Sequence, residues 1–300
     1  MNVTPAVTLT RSRISEVLDT LVTLFKLRVV ALLVFSSIAG AIATGALPGG
    51  SRMTILILAG TLAAAGASAV NEYIERDRDA VMRRTRKRPL PMSRYARPKW
   101  VLAVGTGLIV AAVALSLLNS VAQAFWVAAG ALIYVVIYTL WLKPRSVLNI
   151  VIGGAAGSAA VISGGAAADA WAHPAVLLLG LLVFAWTPVH FWSLAIVYRD
   201  DYAQAGFPML PAKVSLIVAA RWVALHTVFT AIAGVGLLAY ARLGALYAGI
   251  AIPATVWLAY ATLALLREPG PHKAMALFKC SNIYLGIVLL AVMLAFGLGS

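Results

Sequence analysis

The sequence contains few charged residues and almost no cysteine. Charged residues make up 11% of the 300 residues, whereas hydrophobic residues make up 62%. A soluble domain normally carries about 25–35% charged residues on its surface, so a soluble protein of this size is excluded. The single cysteine, Cys280, excludes an internal disulfide, a CxxC redox pair and a cysteine-rich zinc site. Together with a mean hydropathy of +0.93, the composition predicts an all-α polytopic membrane protein.

The hydrophobic runs predict how often the chain crosses the membrane. A bilayer core of about 30 Å needs roughly 20 apolar residues in a helix, and lipid offers unpaired backbone groups no partners. Nine segments have this length, so we expect a single membrane domain over residues 1–300 with nine transmembrane helices. They lie near residues 26–45, 53–75, 100–118, 122–142, 148–168, 175–198, 215–238, 243–266 and 275–298.

The basic residues predict the orientation of these helices. With the spans above, 22 of the 24 Lys and Arg fall on one side, and only Arg52 and Arg242 fall on the other. Because basic loops stay in the cytoplasm, we expect the N-terminus and the segments 1–23, 76–99 and 199–214 to be cytoplasmic and the C-terminus external. The expected location is a bacterial cytoplasmic (inner) membrane. The net charge of +14 therefore reflects topology and does not indicate a nucleic-acid partner.

Six of the ten acidic residues lie in two clusters that begin where predicted spans end. Asn71, Glu75 and Asp79 are spaced by four residues, which places them on one face of a helix. Such oxygen donors suit Mg²⁺, which prefers one or two carboxylates together with substrate phosphates. Asp77 falls on the opposite face, where we expect it to pair with a neighbouring arginine. The second cluster consists of Asp200 and Asp201. Its segment is either an ordinary Gly/Pro turn or a second half of the same site, and the presence of two acids favours the second interpretation.

A dense basic run follows the first acidic cluster. It reads Arg83-Arg84-Thr85-Arg86-Lys87-Arg88-Pro89 and suits phosphate oxygens, so acids for a metal and bases for an anion predict a diphosphate site. The alternative is that this run is only a topology signal that contacts anionic lipids. Lys143 is equally typical of an anchor at headgroup level. For the intramembrane His190, a functional role and a hydrogen bond between helices are equally compatible with the sequence.

Several motifs together resemble the UbiA-type intramembrane prenyltransferases. They lie at residues 24–30, 71–79, 84–90, 149–154 and 188–211. Within this superfamily, the chain is similar to the branch that prenylates heme. The resemblance implies a bundle of nine helices in which two acidic cytoplasmic loops face a central cavity.

The resemblance also implies a reaction and its participants. The donor is farnesyl diphosphate, the acceptor is a vinyl group of protoheme IX, and water completes the product, which is heme o. Asn71, Glu75, Asp79 and Asp201 are implied as catalytic residues that hold Mg²⁺. The implied substrate-binding residues, of which the first three are assigned to the diphosphate, are Arg84, Arg88, Lys143, Asn149, His190 and Tyr202. The lipid bilayer surrounds the chain, and heme A synthase or the assembly machinery of a terminal oxidase is the implied protein partner.

Two positions depart from the pattern of the superfamily. Glu75 stands where aspartate is usual, which keeps the charge on a longer side chain. Ala205 stands where members that act on quinone precursors carry a further aspartate, which favours heme over a phenolic acceptor. Prenylation of a quinone precursor or another aromatic acceptor is the alternative activity. A membrane transporter is the alternative of a different class, but transporters bind substrate near the midplane, and here the polar groups concentrate at one membrane face.

Overall fold

The computed structural model describes residues 13–45, 47–92, 97–240 and 244–297, and these ranges form helices joined by turns. The α-helices, in chain order, are α1 (Arg13–Leu24), α2 (Leu27–Ile42), α3 (Gly50–Asp79), α4 (Pro98–Leu117), α5 (Val121–Leu132), α6 (Asn149–Gly153), α7 (Ala155–Ala167), α8 (Pro174–Val197), α9 (Arg199–Gln204), α10 (Leu210–Lys213), α11 (Leu216–Gly236), α12 (Gly244–Arg267) and α13 (Pro271–Gly297). A π-helix, Ile133–Leu142, continues α5, and a 3₁₀ turn, Leu237–Ala239, continues α11. The expected all-α fold is confirmed.

Within the described ranges, eight helical segments are long and apolar enough to cross a membrane. They coincide with eight of the nine expected spans, counting α5 with its π-helix and α6 with α7. The expected span at 26–45 corresponds to α2, which has only 16 residues and follows α1 at an angle of 48°. If this bent pair is one crossing, the number of spans is nine. The chain is therefore a multi-pass membrane protein.

Small residues let α3 and α4 approach each other closely. Gly66 on α3 faces Gly105 on α4, and a Cβ atom at position 105 would lie only 2.9 Å from the Gly66 carbonyl oxygen. Helices in lipid commonly associate through close approach of their backbones, because the hydrophobic effect does not drive helix association there. The central helix of the bundle is α8, which is the most buried span and packs against α7, α11 and α13.

The polar segments differ from their expected bounds in two respects. Helix α3 continues through Asp79, so the first four residues of the expected loop 76–99 are helical. Its last turn contains Arg76 and Arg78, and cations at a helix C-terminus interact favourably with the helix dipole. The expected loop at 199–214 contains the short helices α9 and α10.

Parts of the expected cytoplasmic segments lie outside the described residues. These parts are residues 1–12 of the N-terminal segment and 93–96 of the first loop. Arg242, one of the two basic residues expected on the outer side, also lies outside them.

Candidate active site

Three oxygen donors line one buried face of α3 near its C-terminal end. Asn71, Glu75 and Asp79 are 1%, 4% and 2% exposed. They share this face because the helix is continuous over all three residues, as the spacing of four predicts. A buried carboxylate is strongly destabilising unless it is paired, so the surroundings of this row must supply positive charge.

Each donor of this row is in contact with one basic side chain. The pairs are Lys26 Nζ with Asn71 Oδ1 at 2.5 Å, Lys143 Nζ with Glu75 Oε1 at 2.5 Å, and Arg88 Nη1 with Asp79 Oδ2 at 2.6 Å. The three cations come from distant parts of the chain: the break between α1 and α2, the residue after the π-helix, and the loop after α3. The tertiary fold therefore brings one cation to each oxygen donor.

The second acidic cluster contacts the basic loop after α3. Asp201 on α9 is 6% exposed, and its Oδ2 accepts a hydrogen bond from the backbone N–H of Arg84 at 3.0 Å. The Arg84 guanidinium lies 3.4 Å from the Tyr202 hydroxyl and faces the rings of Tyr198 and Tyr202 at 5.6 and 5.9 Å. Such cation–π contacts favour a desolvated guanidinium. The second acidic cluster therefore packs against the same basic loop that supplies Arg88 to Asp79.

Arg88 lies among three acids. Burial alone would lower the pKa of its guanidinium, but the Asp79 carboxylate and its hydrogen bond raise that pKa above the ordinary value. Glu72 and Glu75 act in the same direction. Arg88 therefore remains charged in a buried position, as a ligand for an anion must.

Two residues of this region were not identified as site residues from the sequence. One is Lys26, which the sequence places beside a span and within the motif at residues 24–30, without a role in the site. The other is Glu72, which is fully buried. The spacing contained a signal for Glu72, because it precedes Glu75 by three residues and Asp79 by seven and so shares a helix face with them.

Other predicted residues lie in simpler surroundings. Asp77 is exposed and lies 3.6 Å from Arg76, which is the pairing that its helix phase predicts. Asn149 at the start of α6 is fully buried, and its Nδ2 donates to the Ser146 carbonyl oxygen at 2.6 Å. Its Oδ1 is buried without a hydrogen-bond partner among the described residues.

His190 is held between α8 and α13. Its ring stacks on Trp186 and on Phe278, with centroids 4.6 and 4.5 Å apart, and its Nδ1 lies 3.2 Å from the Ser281 hydroxyl. Both rings lie nearly parallel to the imidazole, which is therefore packed among aromatic side chains. The described contacts of His190 do not join it to the acidic clusters.

The donor chemistry of the site fits Mg²⁺. Among the described residues, no three His, Cys, Asp or Glu side chains converge on one point as a complete metal cage. Mg²⁺ does not require one, because it binds one or two carboxylates and completes its shell with water and substrate phosphates. Asn71, Glu75, Asp79 and Asp201 supply hard oxygen donors of this kind, and the neighbouring cations suit the phosphates.

Comparison with known proteins identifies the family of this chain. The UbiA prenyltransferase family matches residues 32–297, and the chain belongs to this family. It is 44% identical over 279 residues to Protoheme IX farnesyltransferase 2 of Paramagnetospirillum magneticum, covering 92% of this chain and 96% of that protein.

Solved structures show the same fold at low identity. A digeranylgeranylglyceryl phosphate synthase superposes with a TM-score of 0.77 at 18% identity, covering 94% of this chain and 99% of that one. A UbiA homologue from Archaeoglobus fulgidus bound to GPP and Mg²⁺ superposes with a TM-score of 0.63 at 13% identity, covering 91% and 99%. The resemblance drawn from the sequence motifs is thereby confirmed at the level of family and fold.

Proposed function

We propose that the protein transfers the farnesyl group of farnesyl diphosphate to a vinyl group of protoheme IX, with addition of water, to give heme o and pyrophosphate. One structural observation carries the donor half of this proposal: every oxygen donor of the α3 row is in contact with a basic side chain. A site that contains both hard oxygen donors and cations matches a metal–diphosphate pair. The acceptor half is supported by the 44% identity to a protoheme IX farnesyltransferase over nearly the whole chain.

The donor would bind by an exchange of partners. Mg²⁺ would be held by Asn71, Glu75, Asp79 and Asp201. The diphosphate oxygens would replace the protein oxygens as contacts of three basic side chains, Arg84, Arg88 and Lys143. Bound Mg²⁺ would neutralise charge on the departing pyrophosphate. The cations stabilise the same charge as it develops, and they do so in a site that is largely desolvated, where electrostatic stabilisation is strongest.

The bond changes can be written so that they balance. The C1–O bond of farnesyl diphosphate breaks, and its electron pair leaves with pyrophosphate. The π electrons of the heme vinyl group form a new C–C bond to farnesyl C1, which leaves a cation beside the porphyrin ring. Water adds its oxygen there and releases a proton, which gives the hydroxyethylfarnesyl group. The apolar helices protect the first cation from early capture by water.

The remaining substrate-binding assignments are part of the same proposal. Tyr202 would contact the diphosphate beside Arg84, because its hydroxyl already lies 3.4 Å from that guanidinium. Asn149 would contact a substrate through its unpartnered Oδ1. His190 would contact the heme through the ring edge, with Ser281 fixing the orientation of the imidazole.

The location of the site follows from the charge asymmetry. The protein is proposed to be a single membrane domain in a bacterial cytoplasmic membrane, with its N-terminus and both acidic clusters inside and its C-terminus outside. Its product would pass to heme A synthase or to the assembly of a terminal oxidase. Reporter fusions after residues 90 and 205 should both report the cytoplasm, and a fusion at the C-terminus should report the outside.

The acceptor is tested by offering two acceptors to the purified full-length protein. With farnesyl diphosphate, Mg²⁺ and heme b, mass detection should show heme b plus one farnesyl chain and one water. Prenylation of 4-hydroxybenzoate with heme b left unchanged would overturn the heme assignment and would leave the family and the donor site intact.

A further inference from the structure

Lys26 occupies an unusual place in the fold. It lies at the break between α1 and α2 with φ 49° and ψ 48°, in the left-handed region that residues with a side chain rarely adopt. Backbone strain of this kind persists only where the surrounding structure holds it, and it is commonest at functional sites. The lysine side chain extends toward α3 and the π-helix. There its ammonium group donates hydrogen bonds to Asn71 and Tyr134.

The partners of the Lys26 ammonium are both neutral. Its Nζ lies 2.5 Å from Asn71 Oδ1 and 3.3 Å from the Tyr134 hydroxyl. The Asn71 amide is fixed in this orientation because its Nδ2 donates to the Thr139 hydroxyl at 3.0 Å. In contrast, the cations on Glu75 and Asp79 each contact a carboxylate. A neutral amide oxygen satisfies a hydrogen bond, but it does not itself neutralise the charge of the ammonium.

Three cations therefore stand in equivalent positions along the α3 row, and two of them are already assigned to the diphosphate. Lys26, Lys143 and Arg88 each place a nitrogen within 2.5–2.6 Å of one donor of the row. We infer that Lys26 is a third cation that binds the diphosphate of the prenyl donor, an inference that rests on the proposed function. Lys26 leaves Asn71 when the diphosphate enters, in the same exchange as Lys143 and Arg88.

A purely structural role predicts a different behaviour. If Lys26 only orients Asn71, any side chain that donates a hydrogen bond to Asn71 Oδ1 replaces it. If Lys26 binds the diphosphate, the positive charge is required. Lys26→Gln keeps a donor and removes the charge, whereas Lys26→Arg keeps both. Arg28→Gln is the matched control, because Arg28 is an exposed residue on α2 and the charge change is the same.

The test is calorimetric titration of the purified full-length variants with inorganic pyrophosphate in the presence of Mg²⁺, so it does not depend on turnover. Lys26→Gln should weaken pyrophosphate binding by about tenfold to a hundredfold, the range expected for loss of one charge-assisted hydrogen bond. Lys26→Arg should bind within about threefold of the wild type, since the charge is kept. Arg28→Gln should bind within about twofold, because an exposed charge is screened.

Three results separate the possible failures. Unchanged binding in Lys26→Gln, with weakened binding in Arg88→Gln, overturns the role of Lys26 and leaves the proposed function standing. An equal loss in Arg28→Gln shows a general charge effect and also overturns it. A wild type that does not bind magnesium pyrophosphate overturns the proposed function itself. Thermal unfolding without ligand verifies folding; if Lys26→Gln does not fold, Lys26→Arg decides, and a tenfold loss in that variant contradicts the inference.

Discussion

The two ends of α3 both carry ion pairs, but in opposite surroundings. At one end, Asp79 pairs with Arg88, and their side chains are 2% and 18% exposed. At the other end, Arg52 pairs with Asp169, and their side chains are 40% and 62% exposed. An exposed pair contributes little because water and salt screen it. A buried pair is often no more stabilising than apolar residues in its place, so its presence calls for a reason other than stability.

The neighbours of each pair indicate what that reason is. At the exposed end, Arg52 also supplies a carbonyl oxygen to Asn119, which in turn donates to Gln123, so the polar groups join the start of α3 to the turn between α4 and α5. At the buried end, the polar groups converge from distant segments on one row of oxygen donors. The exposed end is therefore a surface contact, and the buried end has the groups that the proposed diphosphate site requires.

The largest effect is expected from removing one acid at the buried end. Asp79→Asn and Glu75→Gln should each lower turnover of heme b and farnesyl diphosphate by at least about a hundredfold, because electrostatic groups of this kind are worth about 2.7–4 kcal/mol. Asp77→Asn is the control, since Asp77 is exposed on the opposite helix face. Equal losses at positions 75, 77 and 79, measured as product formed per enzyme, would refute the argument from one helix face.

A smaller effect is expected from removing one cation at the same end. Lys143→Gln should raise KM for farnesyl diphosphate by about tenfold or more, because one charge-assisted hydrogen bond to the diphosphate is lost. Arg145→Gln is the control, since Arg145 is exposed and donates to backbone carbonyl oxygens of the π-helix. Steady-state kinetics should show an unchanged KM for that control; a similar rise in both variants would mean that only the overall charge matters.

A shorter acid at the buried end should be tolerated. Glu75→Asp keeps the charge and restores the residue that is usual in the superfamily, so activity should remain within about tenfold of the wild type. The measurement is product formation across a Mg²⁺ titration. If Glu75→Asp were as inactive as Glu75→Gln, the length of the Glu75 side chain would be required for its contact with Lys143, and the charge alone would not be sufficient.

The smallest effect is expected at the exposed end. Asp169→Asn and Arg52→Gln should each change the free energy of unfolding by less than about 1 kcal/mol and leave turnover unchanged. Asp169 has φ 56°, a conformation that asparagine also tolerates, so the first substitution removes the charge without new backbone strain. Thermal unfolding and product formation on the same samples test this; a loss of turnover would give the exposed end a functional role.

The parts of the molecule that were predictable from sequence are those with local signals. Helix spans follow from runs of apolar residues, and the row Asn71, Glu75 and Asp79 follows from a spacing of four on one helix. The basic loop and Asp201 were identified as parts of a diphosphate site because charged residues are so rare in this chain. The prediction that the basic loop, Asp201 and the α3 row lie close together came from the resemblance to a family.

The parts that were not predictable depend on contacts between distant segments. Nothing near Lys26 in the sequence indicates that its ammonium reaches Asn71, 45 residues further on. The π-helix that positions Lys143 has the composition of an ordinary apolar span. His190 was left open between two roles, and the structure adds that it stacks on Trp186 and Phe278, a contact that only the packing of α8 against α13 creates.

The most direct test of the difference between the two ends removes both partners of each ion pair. The buried double variant is Asp79→Asn with Arg88→Gln, and the exposed one is Arg52→Gln with Asp169→Asn; neither leaves an unpaired charge from its pair, so both should fold. The measurement is Mg²⁺-dependent release of pyrophosphate from farnesyl diphosphate in the presence of heme b. The buried double variant should fall by at least about a hundredfold, and the exposed one should stay within about twofold of the wild type. A folded buried double variant that still releases pyrophosphate at the wild-type rate would contradict the account, because the pair would then be structural.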